Sequence, residues 1–92
     1  MGKAIIVDKL DNVVVAIEPI KKGEEATYLW DGQAMATTAA EDITIYHKLS
    51  IREIKKGEPI VKYGQHIGVA SVDILKGAHV HIHNVENRRE NL

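Results

Sequence analysis

Short runs of β-branched residues that recur at every second position constrain the fold of this chain most. Two such runs lie near its start, Ile5–Val7 and Val13–Ile17, with Asp11-Asn12 as turn residues between them. A period of two places side chains on one face of a strand, and β-branched residues pack well on a pleated surface. The pattern predicts an all-β fold of many short strands with little helix.

The dipeptide Asp31-Gly32 gives a strong local prediction. It favours the primed turns of two-residue hairpins, and we expect its flanks, Ala26–Trp30 and Gln33–Thr37, to pair as strands. Farther along the chain, Ile43–His47 is expected to form another short strand. The three-residue spacing of isoleucines within Lys48–Ile54 allows a single helical turn there.

Three similar segments each place a glycine three residues after an isoleucine: Ile20–Glu24, Ile54–Glu58 and Ile74–Ala78. This arrangement predicts a tight turn in which the glycine takes a positive φ and the isoleucine packs in the core. The spacing between the turns is irregular, so a solenoid is not indicated. We expect instead that short strands pair over long distances in the sequence.

Length and charge limit the function classes. The chain has 92 residues, enough for one domain, and its net charge of −1 gives no electrostatic footprint for nucleic acid. Since cysteine is absent, a metal must be bound by nitrogen or oxygen. No apolar run approaches the ~20 residues of a membrane span, and charged residues from Asp8 onward interrupt the apolar start. We expect a soluble, cytoplasmic protein that binds neither nucleic acid nor membrane.

One domain is expected over residues 1–87, followed by a polar C-terminal tail at 88–92, because residues 86–91 include no apolar side chain. A domain of this size buries only about 60 to 65% of its unfolded surface. With no Phe and one Trp, its core must be built mainly from Ile, Val and Leu. Partner subunits would stabilise such a domain, whether they are a different chain or further copies in a homo-oligomer.

Three of the five histidines, His79, His81 and His83, alternate with the apolar Val80 and Ile82. On a strand, all three imidazoles would share one face while Val80 and Ile82 pack in the core. Alternate positions are about 6.6 Å apart, so His81 with His83, or His79 with His81, can converge on one divalent metal ion. The same face can also flank a substrate, or it can be a plain polar surface.

Two further polar segments follow apolar runs. The segment Lys62–Gly68 comes after the predicted strand Pro59–Val61 and places two glycines among polar side chains. Its backbone N–H groups, with Lys62 and Gln65, can bind an anion, but a β-turn with exposed tips has the same composition. The pair His47-Lys48, at the end of a predicted strand, can bind a ligand in the same way. It is equally explained by a histidine at a sheet edge beside a lysine whose aliphatic stem packs on apolar surface.

In this order and spacing, the segments resemble the SAF domain of the altronate and galactarate dehydratase family. The resemblance rests on His47-Lys48, Ile54-x-x-Gly57, Lys62-Tyr63-Gly64-Gln65, Asp73-Ile74-x-x-Gly77 and His79-Val80-His81-x-His83-Asn84. One departure is Tyr46, where the family usually has glycine before His-Lys. The resemblance implies a β-clip fold. It also implies the N-terminal domain, or a separate small subunit, of sugar-acid dehydratases and of the related sulfolactate sulfo-lyase.

The implied function is that of a hydro-lyase subunit that is inactive without a separate large catalytic subunit. Eliminating water from a sugar acid or hydroxy acid requires a base, groups that bind the carboxylate and stabilisation of the developing negative charge. The expected catalytic residues are His47, Lys48, His79, His81 and His83. The expected substrate-binding residues are Lys62, Tyr63, Gln65 and Asn84. The expected metal ligands are His81 and His83, with Fe²⁺ or Zn²⁺ as the ion.

Two other functions fit the sequence. SAF-like domains also occur as non-catalytic carbohydrate-binding or assembly modules, and tight sugar-acid binding by the chain alone would favour that function. A free metal-binding protein would use the histidine strand, but no carboxylate lies directly beside it in the sequence to complete the site. The choice of sugar acid, and the choice between eliminating water and eliminating sulfite, stay open at this stage.

Overall fold

The computed structural model describes residues 3–6 and 8–86, and within them the chain forms strands and turns without a helix. This confirms the predicted all-β class. In chain order the strands are β1 Ala4–Ile5, β2 Val13–Ala16, β3 Glu25–Trp30, β4 Gln33–Thr38, β5 Lys48–Ser50, β6 Pro59–Lys62, β7 Gln65–Ala70, β8 His79–Val80 and β9 Val85–Glu86. No described segment is a helix able to cross a membrane. The predicted tail at 88–92 and the last predicted domain residue, Asn87, lie outside the described residues.

Three antiparallel sheets are built from the strands of the described residues. The largest has the order β1-β2-β5-β8, the second is the hairpin β3–β4, and the third has the order β6-β7-β9. In the largest sheet, Lys48 of β5 lies opposite Val15 of β2 on one side and Val80 of β8 on the other. Segments that are far apart in the sequence therefore become neighbours, and β5 is held from both sides.

The predicted hairpin is confirmed. Strands β3 and β4 pair along their whole length, from Glu25 opposite Thr38 up to the connecting turn. In that turn Asp31 and Gly32 have φ angles of 50° and 81°. Two consecutive left-handed residues are what a primed turn requires. The dipeptide therefore sets the register of both strands, as its sequence indicates.

The three predicted glycine turns are also confirmed. Positive φ angles of 90°, 89° and 88° occur at Gly23, Gly57 and Gly77. The isoleucines three residues earlier are 1%, 1% and 2% exposed, in the order Ile20, Ile54 and Ile74. A fourth turn of the same form was not expected. It begins at the buried Ile43, and Tyr46, three residues later, has a φ of 71°.

The four turns associate in two pairs through their isoleucines. Ile20 and Ile43 exchange backbone hydrogen bonds of 3.1 and 2.7 Å, and Ile54 and Ile74 exchange bonds of 2.8 and 2.7 Å. Each pair encloses one hairpin, β3–β4 or β6–β7. The core divides in the same way into two clusters, each built around one isoleucine pair. Burying an isoleucine side chain contributes roughly 1.5–3 kcal/mol to the free energy of unfolding, so these pairs stabilise both clusters.

Two predictions for residues 43–54, which connect the two hairpins, are wrong. Ile43–His47 is not a strand, because Ile43 forms an isolated bridge and the chain then turns at residues 45–46. Lys48–Ile54 contains no helical turn, since its first three residues form β5. The backbone groups of β5 pair with β2 and β8, and this pairing overrides the local isoleucine spacing.

Candidate functional site: a histidine and lysine cluster

The pairing of β5 with β8 brings two of the predicted polar segments together. His47 directly precedes β5, and its carbonyl oxygen accepts a hydrogen bond from the backbone N–H of Ala16 at 2.9 Å. His79 begins β8 and lies opposite Leu49 of β5. The two histidines are therefore neighbours in space, although 32 positions separate them in the sequence.

Three imidazoles form a compact, half-buried cluster at this point. His47 Nδ1 and His79 Nε2 are 2.8 Å apart, so one ring donates a hydrogen bond and the other accepts it. The rings of His47 and His81 stack, with centroids 3.9 Å apart and planes inclined by 17°. One ring nitrogen from each of the three residues lies within 4.8 Å of the other two.

A turn, rather than the predicted continuous strand, places His81 in the cluster. Strand β8 ends at Val80, and the chain turns over residues 82–84. Asn84 Oδ1 accepts a hydrogen bond from His81 N at 3.0 Å, and Asn84 Nδ2 donates one to His79 O at 2.8 Å. A side-chain amide that competes for backbone groups in this way interrupts a strand ladder. As a result Ile82, which was predicted to pack in the core, is 83% exposed.

His83 lies at the edge of the cluster. Its ring centroid is 5.1 Å from that of His79, and the two planes are inclined by 33°. It does not belong to the group of three converging nitrogens. The structure therefore gathers His47 with His79 and His81, whereas the sequence pattern indicated His81 with His83, or His79 with His81, as the metal pair. His47 was not expected in this group because it belongs to a different segment of the chain.

One lysine adjoins the histidines, and the charge of a second lysine reaches the first. Lys48, the first residue of β5, follows His47 directly and is half-buried. Burial lowers the pKa of Lys48, and the positive charge of Lys62 lowers it further. Lys62 ends β6, and its Nζ atom lies 4.7 Å from the centre of the Tyr63 ring. The two lysines predicted to bind a carboxylate thus belong to one electropositive region.

The segment Lys62–Gln65 forms the turn between β6 and β7. Tyr63 and Gly64 have φ angles of 57° and 74°, and the side chains of Tyr63 and Gln65 are exposed. The N–H of Gly64, a candidate for anion binding, instead donates to Asp11 Oδ1 at 2.7 Å. The segment is therefore a β-turn with exposed tips, and its lysine side chain is the cationic group it offers.

Comparison with protein families decides which fold family this is. The family model for the altronate/galactarate dehydratase SAF domain matches residues 2–88. The chain belongs to this family. The resemblance noted from the sequence is confirmed, and the small antiparallel sheets are consistent with an SAF domain.

Relatives of this SAF domain include two enzymes and an enzyme subunit. The domain is 38% identical to altronate dehydratase of Bacillus subtilis (strain 168) over 86 residues, which are 94% of this chain and 16% of that protein. It is 38% identical to altronate dehydratase of Escherichia coli (strain K12) over 88 residues, 96% of this chain and 17% of that protein. It is 36% identical to (2R)-sulfolactate sulfo-lyase subunit alpha of Chromohalobacter salexigens over 78 residues, 83% of either chain. The chain thus spans about a sixth of the altronate dehydratases it matches.

Burial favours neutral imidazoles in the SAF domain. The pKa of His79 is lowered first by burial and then by the nearby charges of His83 and His47. The pKa of His81 is lowered by desolvation and then by the charges of His47 and Lys48. A neutral imidazole keeps a lone pair with which it can accept a proton or bind a metal ion.

Glu41 also contacts the cluster, and sequence reasoning missed it. Its Oε2 atom accepts a hydrogen bond from the backbone N–H of His79 at 3.0 Å. Its negative charge partly opposes the lowering of the His79 pKa. The sequence gives no signal for this contact, because Glu41 lies in a loop 38 positions before the histidine it holds.

A separate groove of the SAF domain lies between β1 and the β3–β4 hairpin. Its lining residues are Ala4, Ile5, Ile6, Ile17, Thr27, Tyr28, Leu29 and Ala34. They include no carboxylate, imidazole or amine, and none of them belongs to the histidine cluster. The histidine cluster and its neighbouring lysine therefore form a site separate from this groove.

Proposed function

We propose that this SAF domain is the small part of a hydro-lyase that acts on a sugar acid or hydroxy acid, and that a large chain supplies the rest of the active site. The observation that carries the proposal is the cluster of three imidazoles beside Lys48, whose pKa is in turn lowered by the charge of Lys62. The match over 83% of a sulfo-lyase alpha subunit supports action as a subunit. The relatives named altronate dehydratase support water as the leaving group.

The histidines suit the proton transfers of such an elimination. The reaction removes a proton from the carbon next to the carboxylate, and the hydroxyl group of the following carbon takes up a proton and leaves as water. A base must accept that proton, and its pKa should lie near the working pH. A ring nitrogen of His79 or His81 can serve, since burial lowers the pKa of both rings. The hydrogen bond between His47 and His79 holds the rings in a defined orientation.

The lysines suit the negative charge of the substrate. The charge of Lys62 lowers the pKa of Lys48, so one carboxylate bound between them would offset this repulsion. The same positive charge stabilises the enolate-like transition state as the proton leaves. Tyr63 and Gln65, exposed at the tip of the adjacent hairpin, can contact hydroxyl groups farther along a sugar acid.

The test combines this chain with a separately purified large chain that matches the remainder of the altronate dehydratases. We expect dehydration of altronate or galactarate only when both chains are present. Lys48→Ala should lower kcat/KM by about 10- to 100-fold, the effect of losing one charged hydrogen bond. The matched control Lys22→Ala, on an exposed turn, should leave the rate unchanged. A large chain whose activity is indifferent to this one would contradict the proposal.

The same assay with sulfolactate separates the possible leaving groups. Release of sulfite without any dehydration would replace the hydro-lyase by a sulfo-lyase and keep the role as a subunit. Tight sugar-acid binding by this chain alone, with no activity in the assembled pair, would favour the non-catalytic carbohydrate-binding module.

A further inference from the structure

The imidazoles of His47, His79 and His81 are arranged as a set of metal ligands. One ring nitrogen from each residue lies within 4.8 Å of the other two. We propose that these three residues form a binding site for a divalent transition metal ion such as Zn²⁺ or Fe²⁺. The proposal rests on the geometry of the cluster and stands apart from the assignment as a lyase. A ring nitrogen that binds the ion cannot also accept the substrate proton, so in the metal-bound state the base of the proposed elimination would have to be another group.

The distances between the rings are close to those that a metal requires. Metal–nitrogen bonds of about 2.0–2.1 Å place tetrahedral ligand nitrogens about 3.3 Å apart. His47 Nδ1 and His79 Nε2, at 2.8 Å, are already near this separation. The ring of His81 has to rotate, because parallel rings 3.9 Å apart direct their lone pairs side by side. The proposal requires this rotation, and side-chain torsions change in such steps between staggered rotamers.

His81 supplies a second, independent observation. Its Nδ1 atom is buried and has no hydrogen-bond partner among the described residues. Such a nitrogen is unfavourable, because it has lost its contacts with water and gained none from the protein. A metal ion in the cluster would draw this ring into coordination and remove the mismatch. The orphaned nitrogen therefore belongs to one of the three rings whose nitrogens converge.

The backbone around the three ligands is held by groups that do not themselves bind the ion. Asn84 bonds to the backbone of both His79 and His81, and Glu41 accepts the N–H of His79. Partners that fix the orientation of metal ligands are a regular part of metal sites, and their loss weakens metal binding. The backbone that carries two of the three ligands, His79 and His81, is thus held in place before an ion arrives.

The composition of the site also predicts its type. Three neutral imidazoles leave the ion with its full charge and with at least one open coordination position. This arrangement is typical of catalytic sites, where water or substrate fills the open position, and not of closed structural sites. Lys48 repels the cation, as its effect on the His81 pKa indicates, so we expect moderate affinity in the absence of an anionic ligand.

The test is a metal titration of the chain after removal of metal. Co²⁺ binding is followed by its visible absorption, which reports the coordination geometry, and Zn²⁺ binding is followed by calorimetry. We expect one ion per chain. His47→Ala, His79→Ala and His81→Ala should each weaken binding by about tenfold or more, because each removes one of three ligands. The matched control His66→Ala lies outside the group and should leave the affinity unchanged. His83→Ala tests the pair that the sequence pattern indicated, and it should also leave the affinity unchanged.

Circular dichroism checks that each variant folds, and His47→Gln replaces His47→Ala if the alanine variant unfolds. Two results would overturn the proposal. One is the absence of saturable binding to the wild-type chain. The other is a loss of affinity in His81→Ala and His83→Ala together with none in the His47 variants, which would assign the ion to the pair His81–His83. Failure of the dehydratase assay does not alter either result, so the two proposals fail separately.

Discussion

The turn that carries His47 and the three glycine turns share one backbone form but differ in chemistry. In each of them an N–H closes the turn onto the carbonyl three residues earlier, at 2.9–3.0 Å: Glu24 to Lys21, His47 to Thr44, Glu58 to Lys55 and Ala78 to Leu75. Glycine adopts the left-handed position of these turns without strain. Tyr46 occupies it at a cost of roughly 1–3 kcal/mol.

The residue after the left-handed position differs as well. In two of the glycine turns a carboxylate there accepts a hydrogen bond from the backbone of its own turn, Glu24 at 2.8 Å and Glu58 at 2.7 Å. His47, at the matching position, directs its ring towards His79 instead. The turn at the site therefore lacks the glycine of all three counterparts and the carboxylate that stabilises two of them. Departures from local preference of this kind are expected where a residue is retained for function.

Among the turn substitutions, the largest loss of stability is expected at Gly77, because this glycine also packs against another segment of the chain. A Cβ at Gly77 would overlap the carbonyl oxygen of Thr38, whereas a Cβ at Gly23 would meet nothing within 4 Å, although their φ angles are 88° and 90°. Gly77→Ala should lower the free energy of unfolding by about 3 kcal/mol or more, and Gly23→Ala by about 1 kcal/mol through backbone strain alone. Urea unfolding measures both. Equal losses would mean that packing does not distinguish the turns.

The second-largest loss of stability is expected at the turn over residues 82–84. This turn contains no glycine and is stabilised by the side chain of Asn84. Asn84→Ala removes two hydrogen bonds from a buried amide and should cost about 2 kcal/mol. Asn12→Ala, which also removes two bonds from a buried amide, should cost a similar amount. Only the Asn84 variant should shift the imidazole NMR signals of the cluster. Shifts in both variants would show that the turn is not what holds the histidines.

A smaller change of opposite sign is expected at Tyr46. Tyr46→Gly should raise the free energy of unfolding by about 1 kcal/mol, because it removes left-handed strain from a side chain that is 72% exposed. Tyr46→Ala keeps the strain and should give no gain. Thermal unfolding of both variants makes the comparison. A gain in the alanine variant would attribute the effect to the exposed ring and not to φ.

The smallest expected effect is that of Lys48 on how stability depends on pH. Its pKa in the folded state lies below the ordinary value of 10.5, first because of burial and then because of Lys62. The unfolded state therefore binds more protons, so this residue makes the wild type more stable as pH rises towards 10.5. Lys48→Met should raise the melting temperature at pH 7, and the gain should shrink at pH 10. A gain that is independent of pH would point to apolar packing of methionine.

The sequence predicts the parts of the fold that short segments determine. The hairpin at Asp31-Gly32 and the three glycine turns are confirmed because φ preferences and buried isoleucines act within a few residues. The fourth turn escapes prediction, since Tyr46 occupies the position where glycine would reveal it. Strand β8 is shorter than its alternating pattern suggests, because Asn84 bonds to its backbone.

The site is less predictable than the turns. Its histidine and lysine residue types are visible in the sequence, but which of them meet depends on the pairing of β5 with β8. That pairing joins His47 to His79 and leaves His83 outside the group of converging nitrogens. Glu41 contributes through the backbone N–H of a distant residue, a contact that no spacing rule describes.

The strand order β1-β2-β5-β8 has a consequence for the kinetics of folding. The hairpins β3–β4 and β6–β7 pair strands that are adjacent in the sequence, and such hairpins form in about 1–10 μs. The β5–β8 pair has to close a loop that contains the whole second hairpin, and such long-range contacts make folding slower. His47 meets His79 only after this step. The ability to bind ligands at the cluster should therefore appear late in refolding, after most of the strand signal has formed.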